Sequence, residues 1–101
     1  MKLSHDKTDS SVVVSFSGEL GHHEAAETLQ YIKDVIDLYM PKKLELDFSG
    51  LSFMDSSGIA VIMSSFKGMS AIGGTFTVSA VPEQAKKVLT ASGLTKIINI
   101  S

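Results

Sequence analysis

The sequence predicts an α/β fold in which about five strands form a mixed, mostly parallel sheet connected by three or more helices. Short stretches that alternate apolar and polar residues are separated by longer stretches whose apolar residues recur every three or four positions. Gly and Pro stand at several of the junctions. The resulting order is strand, strand, helix, strand, helix, strand, helix, strand. We therefore expect the last four strands to be parallel and the first to be antiparallel.

Two short strand patterns open the chain, at residues 2–7 and 12–16. The residues between them, 8–11, include Asp and Ser, which favour turns, so we expect a hairpin. The next pattern is helical and should end near Tyr39, because a proline follows shortly and the residue before a proline avoids helical angles. Its apolar face is predicted to carry Ala25, Leu29, Ile32, Ile36 and Tyr39.

A third strand is predicted at residues 44–48, where apolar and acidic residues alternate, and should end at residues 49–50. A second helix is expected from Ser56 to the glycine pair at residues 73–74, because glycine can take the left-handed angles that end a helix. The inward face of this helix is predicted to carry Ile59, Met63 and Phe66.

The last part of the chain predicts a strand at residues 76–80 and a third helix that starts with Pro82 and stops at Gly93. Proline suits a first helical position, and glycine suits the position after a helix, so both ends of this helix are marked. A buried final strand is expected through Ile97, Ile98 and Ile100.

Composition excludes several classes of function. A length of 101 residues fits one domain over residues 1–101, and a hydrophobic fraction of 44% excludes a disordered chain. The formal net charge of −2 argues against a nucleic-acid partner. Cysteine is absent, which excludes thiol chemistry, and every basic residue is Lys, so an Arg in any interface comes from the partner. No spanning segment or signal peptide is apparent, so we expect a cytoplasmic protein without a membrane partner.

The segment at residues 51–59 carries the most polar chemistry, because Asp55, Ser56, Ser57 and Gly58 crowd the start of an otherwise apolar helix. One interpretation is structural: Asp and Ser cap helix N-termini, and Gly permits close packing. The other is functional: free amides and the positive end of the helix dipole suit an anion such as a phosphoserine.

Residues 51–58, Leu-Ser-Phe-Met-Asp-Ser-Ser-Gly, resemble the signature of STAS-domain anti-sigma-factor antagonists, the switch proteins of bacterial sporulation and general stress control. Further landmarks of that family occur in the same order: Gly18-Glu19-Leu20, His22-His23, Gly73-Gly74, Ala91-Ser92-Gly93-Leu94 and Ile97-Ile98. The resemblance implies a STAS-like fold over almost the whole chain.

The resemblance also implies that Ser56 is phosphorylated by a partner that is both a serine protein kinase and the anti-sigma factor, with Ser57 as the weaker candidate. The unphosphorylated form would capture that partner and free a sigma factor, and a PP2C-type phosphatase would restore the switch. The protein would then be a substrate and a ligand of its partners rather than an enzyme, and no cofactor or metal is expected. The implied partner-binding residues are Met54, Asp55, Ser57, Gly58, Gly21, His22 and His23.

Two features depart from the family pattern. Gly21 stands where the family usually has Asp, so an acidic residue expected on the partner-facing surface is missing. The family also commonly continues into another helix after the final strand, whereas this sequence ends at Ser101. A related alternative keeps the serine switch and changes the target to a biofilm pathway, a stress complex or a transporter.

An enzymatic alternative is a serine hydrolase with Ser56 as nucleophile and His22 or His23 as base. Met54 stands where the nucleophile elbow requires its first glycine, which argues against it. The adjacent histidines should point in different directions and are not expected to bind a metal. No phosphate-binding glycine motif is present. Three methionines, at positions 54, 63 and 69, fit either the core or a partner surface.

Overall fold

The computed structural model describes all 101 residues and contains one five-stranded sheet and three α-helices. The strands are β1 (Lys2–Thr8), β2 (Ser11–Leu20), β3 (Lys43–Met54), β4 (Thr75–Ser79) and β5 (Asn99–Ile100). The helices are α1 (Ala25–Tyr39), α2 (Ser57–Ala71) and α3 (Glu83–Ser92). The strands lie side by side in chain order, β1 antiparallel to β2 and all later neighbours parallel. The predicted fold class and strand directions are confirmed.

A single apolar cluster of 21 buried residues joins the sheet to the helices. The strands supply it through alternate positions, as the two-residue period predicts: Val12, Val14, Phe16, Leu44, Leu46, Phe48, Phe76 and Val78. The Asp9–Ser10 turn joins β1 to β2, so the predicted hairpin is confirmed. None of the helices combines the length and the hydrophobicity that crossing a bilayer requires.

The third strand is longer than predicted, and this changes the structure of the residues before Ser56. β3 does not end at residues 49–50 but continues to Met54. Its register with β2 shifts twice, between Ser15 and Ser17 and between Gly18 and Glu19. A Cβ on Gly50 would lie 2.5 Å from the Phe16 carbonyl oxygen, so this glycine allows the two strands to approach closely where the register shifts.

The second helix presents a different face from the predicted one. The residues of α2 that the sheet and α1 cover are Gly58, Val61, Ile62, Ser65 and Met69, whereas Ile59, Met63 and Phe66 are only partly buried. The reason is that α2 packs against α1 as well as against β3 and β4, so apolar residues on several sides of the helix find contacts.

The final strand is shorter than predicted. Residues 94–96 form a 3-10 helix, in which the Ile97 amide donates to the Leu94 carbonyl. This turn follows Gly93, which takes the left-handed conformation at the end of α3. Ile97 is 59% exposed, Ile98 is buried, and only Asn99–Ile100 pair with β4. The expectation that Ile97 belongs to a buried strand is therefore wrong.

We predict that Gly50→Ala lowers the free energy of unfolding by about 2 kcal/mol, because the added methyl group meets the backbone of β2, which cannot move aside without opening the sheet. Urea denaturation measures the change. Gly68→Ala is the control: Gly68 lies inside α2, and a Cβ there would make an ordinary 3.4 Å contact with Ile36 of α1. Because alanine favours helix, stability should stay equal or rise by up to about 1 kcal/mol. Equal losses in the two variants would contradict this account of β3.

Candidate functional site

The signature segment lies where β3 ends and α2 begins, at the same edge of the sheet as the connection from β2 to α1. Leu20 and Met54 are the last paired residues of β2 and β3, and the Asp55 amide donates to the Leu20 carbonyl at 3.2 Å. Because the carboxyl ends of parallel strands meet at one edge, two helix starts lie next to each other there. Asp55 therefore faces the loop at residues 21–24.

Asp55 connects these two helix starts. Its Oδ1 accepts the Ser57 amide at 2.8 Å, and its Oδ2 accepts the His22 amide at 3.2 Å. The Ser57 amide is the main reason that the pKa of the Asp55 carboxyl is lowered from its ordinary value of 3.8; the Ser57 hydroxyl and the His22 amide act in the same direction, and partial burial opposes them. The ionised carboxylate thus holds the loop and the helix together.

The two serines differ in exposure and in hydrogen bonding. Ser56 is exposed, and as the N-cap residue of α2 it makes no side-chain cap bond. Ser57 is half-buried, and its amide donates to the Asp55 carboxylate. Ser56 therefore presents the more exposed hydroxyl of the pair.

The amides at the start of α2 are already occupied. The Ser57 amide bonds to the Asp55 carboxylate, and the Gly58 amide donates to the Asp55 carbonyl at 3.1 Å. Asp55 therefore caps the helix, as the structural interpretation of the sequence holds. An anion at this helix start would find neither the Ser57 nor the Gly58 amide free.

Three of the expected partner-binding residues, Met54, Gly58 and Gly21, are buried. Met54 is 0% exposed, so its side chain belongs to the core and presents no surface to a partner in this structure. Gly58 is buried directly above it, and a Cβ there would lie 2.5 Å from the Met54 Cγ and Sδ atoms. Met54 and Gly58 thus pack the start of α2 against the core. Met69 is also fully buried, whereas Met63 is half-buried.

The space beside position 21, where an acidic side chain was expected, is occupied by the carboxylates of Asp55 and Glu24. Gly21 is buried, and its amide donates to the Glu24 Oε1 at 3.0 Å. A Cβ on Gly21 would lie 3.2 Å from the Asp55 Oδ2 and 3.3 Å from the Glu24 Oε1. Glu24 was not among the predicted site residues, although a Glu that lies three residues after a helix-capping position and bonds back to its amide is a known helix-start pattern.

The two histidines lie on the surface beside Asp55. His22 and His23 are both exposed, and their ring centroids are 5.6 Å apart at an interplanar angle of 65°. The expectation that they point in different directions is wrong, because they occupy a turn before α1 rather than regular helix, and the rings meet edge to face. No group of three or more His, Asp or Glu side chains is arranged to hold a metal ion.

Two further residues near the site were not foreseen. Gln84, in the first turn of α3, bonds to both backbone groups of Met54. Phe53, the neighbour of Met54 on the opposite side of the strand, is 42% exposed. A glutamine on a helix surface carries no sequence signal for such a contact, and the exposure of Phe53 follows from the unexpected extension of β3.

The family model of the STAS domain matches residues 2–101 of this chain. An anti-sigma F factor antagonist of Paenibacillus polymyxa is 34% identical over 89 residues, which cover 88% of this chain and 76% of that protein. The unphosphorylated anti-sigma factor antagonist SpoIIAA is structurally similar with a TM-score of 0.85 at 25% identity, covering 99% of this chain and 88% of that one. The phosphorylated form of SpoIIAA, a Bacillus cell fate determinant, gives a TM-score of 0.75 at 26% identity, with coverage of 99% and 91%.

We predict that Asp55→Asn lowers the thermal midpoint at about pH 7, because a neutral amide accepts the Ser57 and His22 amides less strongly than a carboxylate does. The pKa of Asp55 is lower in the folded state than its ordinary 3.8. The carboxylate therefore stabilises the fold fully above about pH 5, and this contribution is lost as the pH falls through the folded value.

The difference in thermal midpoint between wild type and Asp55→Asn should accordingly shrink as the pH is lowered to about 3 and below. Calorimetry across this range measures it. Asp6→Asn, at an exposed position of β1 that makes no side-chain hydrogen bond, is the control for the loss of one negative charge. A difference that stays constant with pH would contradict a stabilising role of the ionised form.

Proposed function

The chain belongs to the STAS domain family, and from this membership we propose that it is a protein-binding switch controlled by phosphorylation of Ser56. The match confirms the resemblance found at residues 51–58. The antagonists that it matches are binding regulators of the anti-sigma pathway, so this chain is a binding protein of that pathway and not an enzyme. The identity of the modified residue, the kinase and the phosphatase are the proposed part.

In the proposed cycle, the unphosphorylated chain binds an anti-sigma factor that is also a serine protein kinase, and thereby frees a sigma factor in the cytoplasm. The kinase phosphorylates Ser56 and binding ends, and a PP2C-type phosphatase removes the phosphate. The structural neighbour SpoIIAA, which has been solved in unphosphorylated and phosphorylated forms, supports such a cycle by similarity.

The observation that carries the proposal is the difference between the two serines. A kinase needs a hydroxyl that can enter its active site, and Ser56 is exposed with no side-chain cap bond. Ser57 is half-buried and is held to the Asp55 carboxylate through its amide. This favours Ser56 as the acceptor and leaves Ser57 as the weaker candidate.

Electrostatics explains how a phosphate on Ser56 would end binding. It adds about −1.5 to −2 charges next to the Asp55 carboxylate. Since the Ser57 and Gly58 amides are occupied, they do not neutralise it, and the charge stays at the surface that a partner would cover. Covering an unpaired charge costs several kcal/mol. A change in occupancy from about 99% to about 1% requires roughly 5.5 kcal/mol, so one such phosphate is sufficient without a change of fold.

A second candidate function keeps this switch but changes its target to a biofilm pathway, a stress complex or a transporter. The observation that favours it is the arrangement at position 21, where Gly21 replaces the acidic residue of the family and the Asp55 and Glu24 carboxylates occupy the space. A partner that reads this part of the surface would meet a carboxylate in a different position. Mass spectrometry of proteins retained by the immobilised chain distinguishes an anti-sigma kinase from another target.

We predict that an anti-sigma factor kinase from the same genome transfers one phosphate to the chain and that the phosphate lies on Ser56. Peptide mapping by mass spectrometry measures its position. Ser57→Ala should still accept the phosphate, and Ser56→Ala should not. Phosphate on Ser57 alone would overturn the assignment.

We also predict that Ser56→Asp weakens binding of the anti-sigma factor by at least about tenfold, while Ser56→Ala binds like the wild type. Isothermal titration calorimetry measures both. Ser70→Asp is the matched control, because Ser70 is exposed near the far end of α2 and the substitution adds the same charge. If Ser70→Asp weakened binding as much as Ser56→Asp, net charge rather than the site would explain the effect.

A further inference from the structure

Gln84 contacts the backbone directly before the switch segment. Its Nε2 donates to the Met54 carbonyl at 2.8 Å, and its Oε1 accepts the Met54 amide, also at 2.8 Å. One side chain thus supplies the donor and the acceptor that a neighbouring strand would normally offer. No other side chain of α3 bonds to β3.

The contact fills a gap in the sheet. β4 pairs with β3 only as far as Asp47, so the last part of β3 has no strand partner on that side. On its other side β3 is held by β2, and the Asp55 amide bonds to the Leu20 carbonyl. The backbone that leads into Asp55 is therefore fixed by β2 from one side and by Gln84 from the other.

We propose that Gln84 is a positioning residue that determines which serine of the segment is modified, an inference that rests on the proposed function. By bonding to the backbone amide and carbonyl of Met54, Gln84 fixes the direction of the backbone from β3 into Asp55. Asp55 in this position binds the amide of Ser57, whose side chain stays half-buried, while Ser56 is exposed. Without the Gln84 hydrogen bonds the backbone at Met54 becomes more mobile, so Asp55 holds Ser57 less firmly. The Ser56 and Ser57 hydroxyls then become more alike as phosphate acceptors.

The modification itself is an ordinary phosphoryl transfer from ATP. The serine Oγ forms a bond to the γ-phosphorus of ATP held by the kinase, the bond from that phosphorus to the leaving ADP breaks, and the hydroxyl proton passes to a base of the kinase. Gln84 takes no part in this step. Its effect is limited to which oxygen is presented, so it should change the ratio of the two products rather than the chemistry.

The test compares wild type with Gln84→Met, which keeps the length of the side chain and removes both hydrogen bonds. Gln30→Met on α1 is the matched control, because the side-chain amide of Gln30 donates to the Asp34 carboxylate and has no hydrogen bond to the switch segment. Hydrogen exchange by NMR should show the Met54 and Ser57 amides exchanging roughly tenfold faster in Gln84→Met, while core amides of α1 stay unchanged. Equal exchange of the Met54 amide in wild type and Gln84→Met would overturn the proposal.

The second measurement is the distribution of phosphate after treatment with the anti-sigma factor kinase. We expect the ratio of Ser57 to Ser56 phosphate to rise at least tenfold in Gln84→Met and to stay at the wild-type value in Gln30→Met. An unchanged ratio would overturn the specificity role even if exchange were faster. If the wild-type chain accepted no phosphate at all, the proposed function would fail, and the exchange experiment alone would decide whether Gln84 positions the segment.

Discussion

The carboxylate of Asp55 is the interaction on which the site depends. It accepts one amide from the start of α2 and one from the loop before α1, and so joins two helix starts that belong to neighbouring strands. Because its acceptor groups are used in this way, Ser57 is engaged and Ser56 is not. The same charge would repel a phosphate on Ser56. The Asp55 side chain thus favours Ser56 as the acceptor hydroxyl. It also supplies the negative charge that a phosphate on Ser56 would meet.

The sheet places that carboxylate. β3 runs beyond the end of β4, and its last residues are held by β2 and by Gln84 instead of a second strand. The Met54 side chain points into the core and packs under Gly58, which can lie this close only because it has no side chain. The helix start therefore rests on a fixed base, so a phosphate on Ser56 can act by changing the surface while the fold stays the same.

Much of the fold could be predicted from local patterns, because strands and helices that bury one face leave a clear period in the sequence, and Gly93 marks a helix end by its left-handed backbone. The errors arose where tertiary contacts decide. The extension of β3 depends on the close approach of Gly50 to β2, and the exposure of Ile97 depends on a 3-10 turn. At the site, the cluster of Asp, Ser and Gly was visible, but the burial of Met54 and the contact from Gln84 involve residues far apart in sequence.

One ionised carboxylate holds both helix starts, and an NMR titration of the backbone amides tests this most directly. As Asp55 is protonated, the His22 and Ser57 amide protons should shift together, with one shared midpoint below the ordinary carboxyl pKa of 3.8. Separate midpoints for the two amides, or a shared midpoint at or above 3.8, would contradict the account.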